Sequence, residues 1–579
     1  MKGFEVFTAP HFLFRFPKKS DDLQLSLKAP RCIAVNVSFF GRIAVLASLM
    51  SGVALSETLP SQAEWQWAVP VDNGYAFLWI PPNCDRVRGV MFGQHNMLEE
   101  GIMEHPAMRE ELGKLGIAEV WVAPRFDTVF RFDQGAGEKF DTLMRTLASV
   151  SGYDELATRP VVPIGHSACA SFPWNFAAWN PERTLAVLSV HGDAPQTNLT
   201  GSGMPNPDWG NRRIDGVPGL FVIAEYEWME QRIAPGLAFR KKFPKAPVAF
   251  LAEPARGHFD ASDELVAYLA KFIRKAAEAR LPTNGEGPLK PVDPANGWLT
   301  PVWRLNHPYP SPVSAANAAG DPAEFFWAFD EEMARATTAH HADQIGKNPQ
   351  LLGFVQDGGV VPQVDIHEQV RLRFQPENDE LRFRLKGAFL DRVEEGSKNL
   401  SRWTGLPVNS PLGHAAEGGI RIRRITGPVR ELGNGSFELA LNRTWSTTDK
   451  RNTDLWFYAE HPGDGDYKGA VQQAMMRVEP NKAGKEQRID FPVIADQFVT
   501  TKEVKLGAVS DAGLPVKYYV REGPAVIDGD VLRFTKIPPR SHFPVKITVV
   551  AWQWGRGGEA PVQTAQPVER TFAIVKEAK

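Results

Sequence analysis

Between residues 64 and 283 the chain repeatedly changes its hydrophobic period, and this limits its fold more than any other feature. Short apolar runs of strand length recur: Ala76–Ile80, Gly89–Phe92, Glu119–Ala123, Pro160–Ile164, Thr184–Val190, Leu220–Ala224 and Val248–Leu251. Between them lie stretches whose apolar residues return every three or four positions. Lys139–Val150 sets Phe140, Leu143, Met144 and Leu147 on one helical face, and Asp263–Ala279 does the same with Leu265, Tyr268, Leu269 and Phe272. Ala107–Leu115 is a shorter helix, with Pro106 suited to its first turn. Strands that alternate with helices of crossover length predict an α/β sheet.

At 579 residues the chain is too long for one hydrophobic core, and three or four units are expected. Near Leu281 the pattern breaks into a Pro/Gly-rich linker, Pro282–Gly297. Beyond it, strand-like alternation dominates 298–486, with one helical island at Pro322–Thr338. Residues 487–579 read as a compact all-β segment whose turns include Asp528-Gly529 and Pro538-Pro539. The domain reading is therefore a leader at 1–56, a catalytic α/β unit at 64–283, a β-rich unit of unknown role at 298–486 and a β-sandwich at 487–579.

The leader rests on Ile43–Val53 (IAVLASLMSGV), an apolar run of signal-peptide length preceded by Arg31 and Arg42. Small residues allow a cut after Ser56 or after Ala63. The run is shorter than the roughly 18 residues a membrane span needs, so no stable span is expected. About forty residues precede it, more than an ordinary charged n-region, which fits an over-extended start codon or a non-standard leader. Cutting after Ser56 removes seven Lys/Arg and three Asp/Glu, taking the formal charge from −3 to −7. Neither value suits a nucleic-acid-binding surface. Cys32 leaves too, so only Cys84 and Cys169 could pair, and three cysteines cannot build a multi-cysteine zinc site.

The chemistry concentrates at Arg159–Trp174, RPVVPIGHSACASFPW. An apolar strand runs into Gly165-His166-Ser167-Ala168-Cys169 and then into a helix. G-x-S-x-G in that setting is a nucleophile elbow, whose sharp turn lifts the serine above the sheet. Here the last position is cysteine, a small residue but a departure from the pattern. Downstream, Arg256-Gly257-His258-Phe259 follows a strand and precedes the last helix, where an imidazole could take and return the serine proton. Between them, LFVIAEYEW (Leu220–Trp228) carries acids at the C-terminal end of a strand. A carboxylate there would orient the imidazole. Ala168 offers the backbone N–H immediately after the nucleophile to an oxyanion.

In these motifs and their order, residues 64–283 resemble the α/β-hydrolase superfamily, in its secreted esterase/lipase or dienelactone-hydrolase-like branch. The resemblance implies an acid just past the strand before the histidine loop, which falls on Glu227, with Glu225 and Asp193 as alternatives. It also implies a second oxyanion donor after the GVMF strand, at Gln94 or next at His95, where many relatives carry His-Gly. No cofactor or metal is implied. The final stretch, Asp490–Lys579, resembles Ig-like modules appended to secreted enzymes that degrade polysaccharides.

Other chemistry-bearing residues have plainer readings. His166 and His191 read as structural or site-lining, since no H-E-x-x-H accompanies them. His340-His341 reads as solvated, and Asp464-Gly465-Asp466 and Asp528-Gly529-Asp530 as turns. Among the aromatics crowding the elbow, Phe126, Phe130 and Trp174 are expected to line an acyl or sugar cleft. The expectation is a secreted or periplasmic serine hydrolase of carboxylic esters working through Ser167, Glu227 and His258, with esterified polysaccharides as the suggested substrate class. A peptidase on the same fold and a non-catalytic glycan-binding protein remain the alternatives.

Overall fold

A computed structural model describes residues 63–199, 204–283, 286–304, 310–320, 324–364, 368–416, 418–445 and 453–577. The leader at 1–56 and the cut site after Ser56 lie outside the described residues, as does the His341 side chain, whereas Ala63, at the alternative cut site, is described and buried.

The α/β region is built on eight strands: β1 (Trp67–Val71), β2 (Gly74–Trp79), β3 (Gly89–Gln94), β4 (Ile117–Ala123), β5 (Val161–His166), β6 (Val187–Val190), β7 (Gly219–Ala224) and β8 (Val248–Glu253). They form one sheet in the order β1-β2-β4-β3-β5-β6-β7-β8. β2 runs antiparallel to both neighbours, and every pair from β4 to β8 is parallel. From β3 to β8 each strand residue is buried, as expected of parallel strands covered on both faces.

Six helices supply the cover: α1 (Glu99–Met103), α2 (Pro106–Leu115), α3 (Ala136–Ser151), α4 (Phe172–Trp179), α5 (Glu230–Lys242) and α6 (Asp263–Arg280). Period-2 alternation divides each strand between two cores. Met91, Trp121, Ile164 and Leu188 pack with α2 and α6 on one side. On the other, Val90, Phe92 and Val120 meet Phe140 and Leu143 of α3. Trp174 of α4 and Ile233 of α5 meet Phe221 and Phe250 on that face.

Several sequence expectations change here. β1 and α5 carry weak local signals: β1 contains Pro70, and α5 contains Pro235. The helical island splits, because Phe325–Ala328 is a strand and only Glu331–Ala342 (α7) is helical. Burial decides this, for Phe326 inserts between Phe221 and Phe250, with ring centroids 5.3 and 4.9 Å away. The linker is docked. Lys290 N–H donates to the Arg280 carbonyl and Val292 N–H to that of Gly216, each at 3.0 Å. Phe126, Phe130 and Trp174, expected at a cleft, belong to the hydrophobic core. They are 5%, 0% and 1% exposed, Phe130 being packed on Phe172, Phe176 and Trp179.

The remainder is β-rich apart from α7 and α8 (Lys398–Thr404). A five-stranded sheet runs Gln363–Val364, Gln369–Arg371, Ala470–Arg477, Asp454–His461, Arg421–Thr426. Its core joins Phe354, Phe383, Phe437 and Phe457. The C-terminal strands make a four-stranded and a three-stranded sheet, with Leu532, Ile547 and Phe572 in a shared core. Gly529, at φ 62°, turns the hairpin in which Asp528 faces Val531. Glu57–Lys579 forms one compact unit. Trp403, Tyr458 and Val471 from the β-rich part enter the same core cluster as α6.

Candidate active site

β5 ends at His166 and the chain turns sharply into a short 3-10 segment, Ser167–Cys169. Ser167 holds φ at 49°, a left-handed conformation that costs a non-glycine residue about 1–2 kcal/mol. The turn closes so tightly that a Cβ on Gly165 would lie 2.0 Å from the Cys169 carbonyl oxygen. Cys169, by contrast, does not take a positive φ, which is why a side chain is tolerated there. Neither Cys169 nor Cys84 is in a disulfide, and both are buried.

The His258 loop, between β8 and α6, brings Nε2 of the ring to 2.7 Å from Ser167 Oγ. Nδ1 of the same ring lies 2.5 Å from Glu227 Oε2. Glu227 sits in the 3-10 turn Glu225–Glu227 that follows β7. Ser167, His258 and Glu227 thus form a continuous hydrogen-bonded row across the C-terminal ends of three parallel strands. Burial alone would raise the Glu227 pKa. The Arg232 guanidinium and the His258 and His191 imidazoles outweigh it and hold the carboxyl well below its usual range.

The two other acids stand elsewhere. Glu225 accepts from Ala255 N–H and from Lys468 Nζ, each at 2.8 Å, and so ties the histidine loop to the β-rich half. Asp193 is buried behind the elbow, its carbonyl accepting from the Trp174 indole at 2.8 Å.

Of the oxyanion candidates, Ala168 directly follows Ser167 in the elbow. Gln94 ends β3, and its side chain accepts from the N–H groups of Phe126 and Asp127, each at 3.0 Å. His95 drops out as a donor, because its N–H is spent on the Val122 carbonyl at 2.7 Å. Asn96 pins the loop from the other side, donating to the His166 carbonyl at 2.8 Å. Glu99 accepts from His166 N–H at 2.8 Å, and burial raises its carboxyl to about 7.

Arg232 and Glu368, which sequence patterns do not single out, complete the surroundings with His191, which they mark as structural or site-lining. Arg232 Nη1 donates to Glu227 Oε2 at 2.6 Å, and His191 Nδ1 stands 3.0 Å from Glu227 Oε1. Glu368, on the β-rich side, pairs with Arg402, and burial raises its carboxyl to about 7. Arg232 lies in the first turn of α5 and Glu368 just before the strand Gln369–Arg371, and no local pattern marks either. His340 pairs with the buried Glu253 at 3.2 Å and is mostly buried, which corrects its reading as a solvated residue. Asp464 closes a turn by accepting from the N–H groups of Asp466 and Tyr467, each at 2.9 Å. Among the described residues no group of His, Cys, Asp and Glu is arranged to hold a metal ion.

No protein-family model matches the chain, and no curated protein resembles it detectably in sequence. Solved structures resemble the α/β part. A poly(aspartic acid) hydrolase-1 from Sphingomonas sp. KT-1 shares 11% identity over 37% of this chain and 99% of its own, with a TM-score of 0.28. An S-formylglutathione hydrolase from Agrobacterium tumefaciens gives 11%, 37%, 99% and 0.27 in the same order. A dienelactone hydrolase from Anabaena variabilis gives 16%, 38%, 96% and 0.25. The chain's own strand order, its one antiparallel internal strand β2 and its serine elbow after β5 give the region from Trp67 to Arg280 an α/β-hydrolase-like fold.

Proposed function

We propose that the chain is a serine hydrolase of carboxylic esters. The observation that carries this reading is the row Ser167 Oγ–His258 Nε2 at 2.7 Å and His258 Nδ1–Glu227 Oε2 at 2.5 Å, mounted on a positive-φ elbow. Ser167 attacks the ester carbonyl while His258 takes its proton, and the backbone N–H groups of Ala168 and Gln94 hold the oxyanion. His258 returns the proton to the departing alcohol. Water, activated by the same imidazole, then cleaves the acyl-enzyme and regenerates Ser167. Glu227 keeps the imidazole in the reactive tautomer. The chemistry needs no cofactor.

The leader-like start supports secretion or a periplasmic location. The C-terminal sheets support an Ig-like module, and that module supports esterified polysaccharides as the substrate class. Among the described residues no helix is long and apolar enough to cross a membrane. The test is turnover of p-nitrophenyl acetate by wild type and Ser167→Ala, followed by a screen of acetylated, methyl-esterified and feruloylated polysaccharides beside short peptides. Unchanged turnover in Ser167→Ala would refute the elbow assignment. Cleavage of peptides alone would replace the esterase reading with a peptidase.

A further inference from the structure

Glu227 does not serve His258 alone. Its Oε2 takes both His258 Nδ1 and Arg232 Nη1, while its Oε1 accepts from Ala224 N–H at 3.2 Å and faces His191 Nδ1 at 3.0 Å. Arg232 Nη2 donates to the Gly192 carbonyl at 2.7 Å, so one guanidinium joins the acid to the turn that carries His191.

His191 follows β6, is fully buried and holds φ at 44°. Both ring nitrogens face groups that can only accept. Nδ1 meets the Glu227 carboxylate. Nε2 meets the Asp260 carbonyl at 3.0 Å, with Glu253 Oε2 at 3.3 Å. A neutral imidazole has one N–H and one lone pair, so in this fully buried setting its lone pair would press on an oxygen. An imidazolium satisfies both sides.

His166, in the same cluster, provides the contrast. Its Nε2 faces the His258 carbonyl at 2.9 Å, and its Nδ1 faces the Asn96 amide nitrogen at 3.5 Å. The Asn96 oxygen accepts from Arg125 at 2.9 Å, which fixes the amide with its nitrogen toward the ring. One acceptor and one donor call for a neutral ring. Burial pulls His166 well below the usual histidine range, helped by the His258 and His191 rings. Burial also opposes a charge on His191, but there Glu227, Glu253 and Asp260 outweigh it and raise the pKa.

We propose that His191 is a fixed buried imidazolium which, with Arg232, balances Glu227, so that His258 alone among the three clustered histidines changes protonation during turnover. The proposal rests on the catalytic reading of Ser167, His258 and Glu227. His191 touches neither substrate nor reacting atoms; it is a positioning residue that acts through Glu227. The groups facing it come from every side: Glu227 after β7, Arg232 on α5, Glu253 at the end of β8, Asp260 before α6, and the rings of His166 and His258. Glu253 in turn faces His340 of α7 at 3.2 Å, and the Asp260 carboxylate is held by Arg256 at 3.3 Å. Two buried carboxylates, Glu227 and Glu253, therefore face His191, and one arginine on Glu227 cannot balance both. The His191 and His258 ring centroids are 6.1 Å apart. A standing charge at that range acts directly on the ring that exchanges a proton with Ser167.

The direct test is the ¹⁵N spectrum of histidine-labelled full-length protein, with His191→Gln used to assign the ring. Both His191 nitrogens are expected to be protonated at neutral pH, and a non-protonated nitrogen overturns the proposal. This readout is independent of turnover, so it fails separately from the esterase reading, which Ser167→Ala tests. The second measurement is the pH profile of kcat/KM. His191→Gln keeps an N–H donor for Glu227 but removes the charge, so the acid limb should move upward by about 0.5–2 pH units. A lower rate with an unmoved limb would mean a merely structural role. If His191→Gln does not fold, His191→Asn assigns the ring in its place, and the wild-type spectrum then decides.

Discussion

The indole of Trp403 lies flat on the ring of Tyr226, centroids 4.3 Å apart and planes 13° from parallel, and its N–H donates to the Tyr226 carbonyl at 2.9 Å. Tyr226 stands between Glu225 and Glu227, so a side chain from α8 in the β-rich half clamps the turn that presents the acid to His258. Trp403→Ala should cost about 3–5 kcal/mol of stability and lower kcat by releasing that turn. Trp403→Phe keeps the stacking and loses one hydrogen bond, a cost of about 0.5–1.5 kcal/mol. Thermal melts of both variants, read beside ester turnover, check this. Full activity in a destabilised Trp403→Ala would show that Glu227 needs no clamp.

Ser167 combines a hydroxyl facing His258 with a strained backbone, and two substitutions separate these properties. Ser167→Ala removes the hydroxyl and keeps a Cβ at φ 49°, so turnover should fall by about 10⁴-fold or more with the fold intact. Ser167→Gly should be equally inactive yet more stable than the alanine variant by about 1 kcal/mol, because glycine adopts that φ without a steric cost. A glycine variant no more stable than the alanine one would argue against strain at the elbow.

The neighbouring acids should separate cleanly. Glu227→Gln leaves His258 without its anionic partner and should lower kcat about 10⁴-fold. It also strands Arg232 and His191 in a buried site, a loss of about 3–5 kcal/mol. Glu225→Gln breaks its link to Lys468, whose side chain is 10% exposed, and costs stability while leaving the His258 row in place. Its kcat should stay within a few fold of wild type. Equal losses in the two variants would undo the assignment of the acid.

Stability should decline as pH rises from the ordinary carboxyl range to about 8. Burial raises Glu99 and Glu104 to about 7 and Glu119 to about 8, and Glu368 to about 7. A carboxyl whose folded pKa is raised binds more protons folded than unfolded. Its contribution is complete below the ordinary carboxyl range and is lost as pH climbs through the folded value. His191, also raised, adds a loss in the same direction. Glu227, held low, acts oppositely and only at acidic pH. Melting temperatures measured from about pH 5 to 8 should fall, and a flat or rising profile over that range would contradict the buried protonated carboxyls.

The α/β class was legible in the sequence because a buried parallel strand and an amphipathic helix each impose a local period. Six of the parallel strands and three of the helices stand where apolar spacing put them, within a few residues. The elbow was legible too, since a tight strand-to-helix turn demands small residues beside Ser167. Where local spacing conflicted with packing it misled, as at Phe325–Ala328, whose aromatic run suits either element until Phe221 and Phe250 offer it a place.

By itself, then, the sequence determined the fold class, a serine at a forced turn, and a histidine on a loop downstream. Tertiary structure alone chose Glu227 over Glu225 and Asp193, since all three are acids near strand ends and only packing decides which faces Nδ1 of His258. It alone set the two buried histidines apart. The partners of His191 lie 36 and 69 positions away in the chain, and no local pattern records whether they donate or accept. A charge state is a property of the neighbours, and the fold decides who they are.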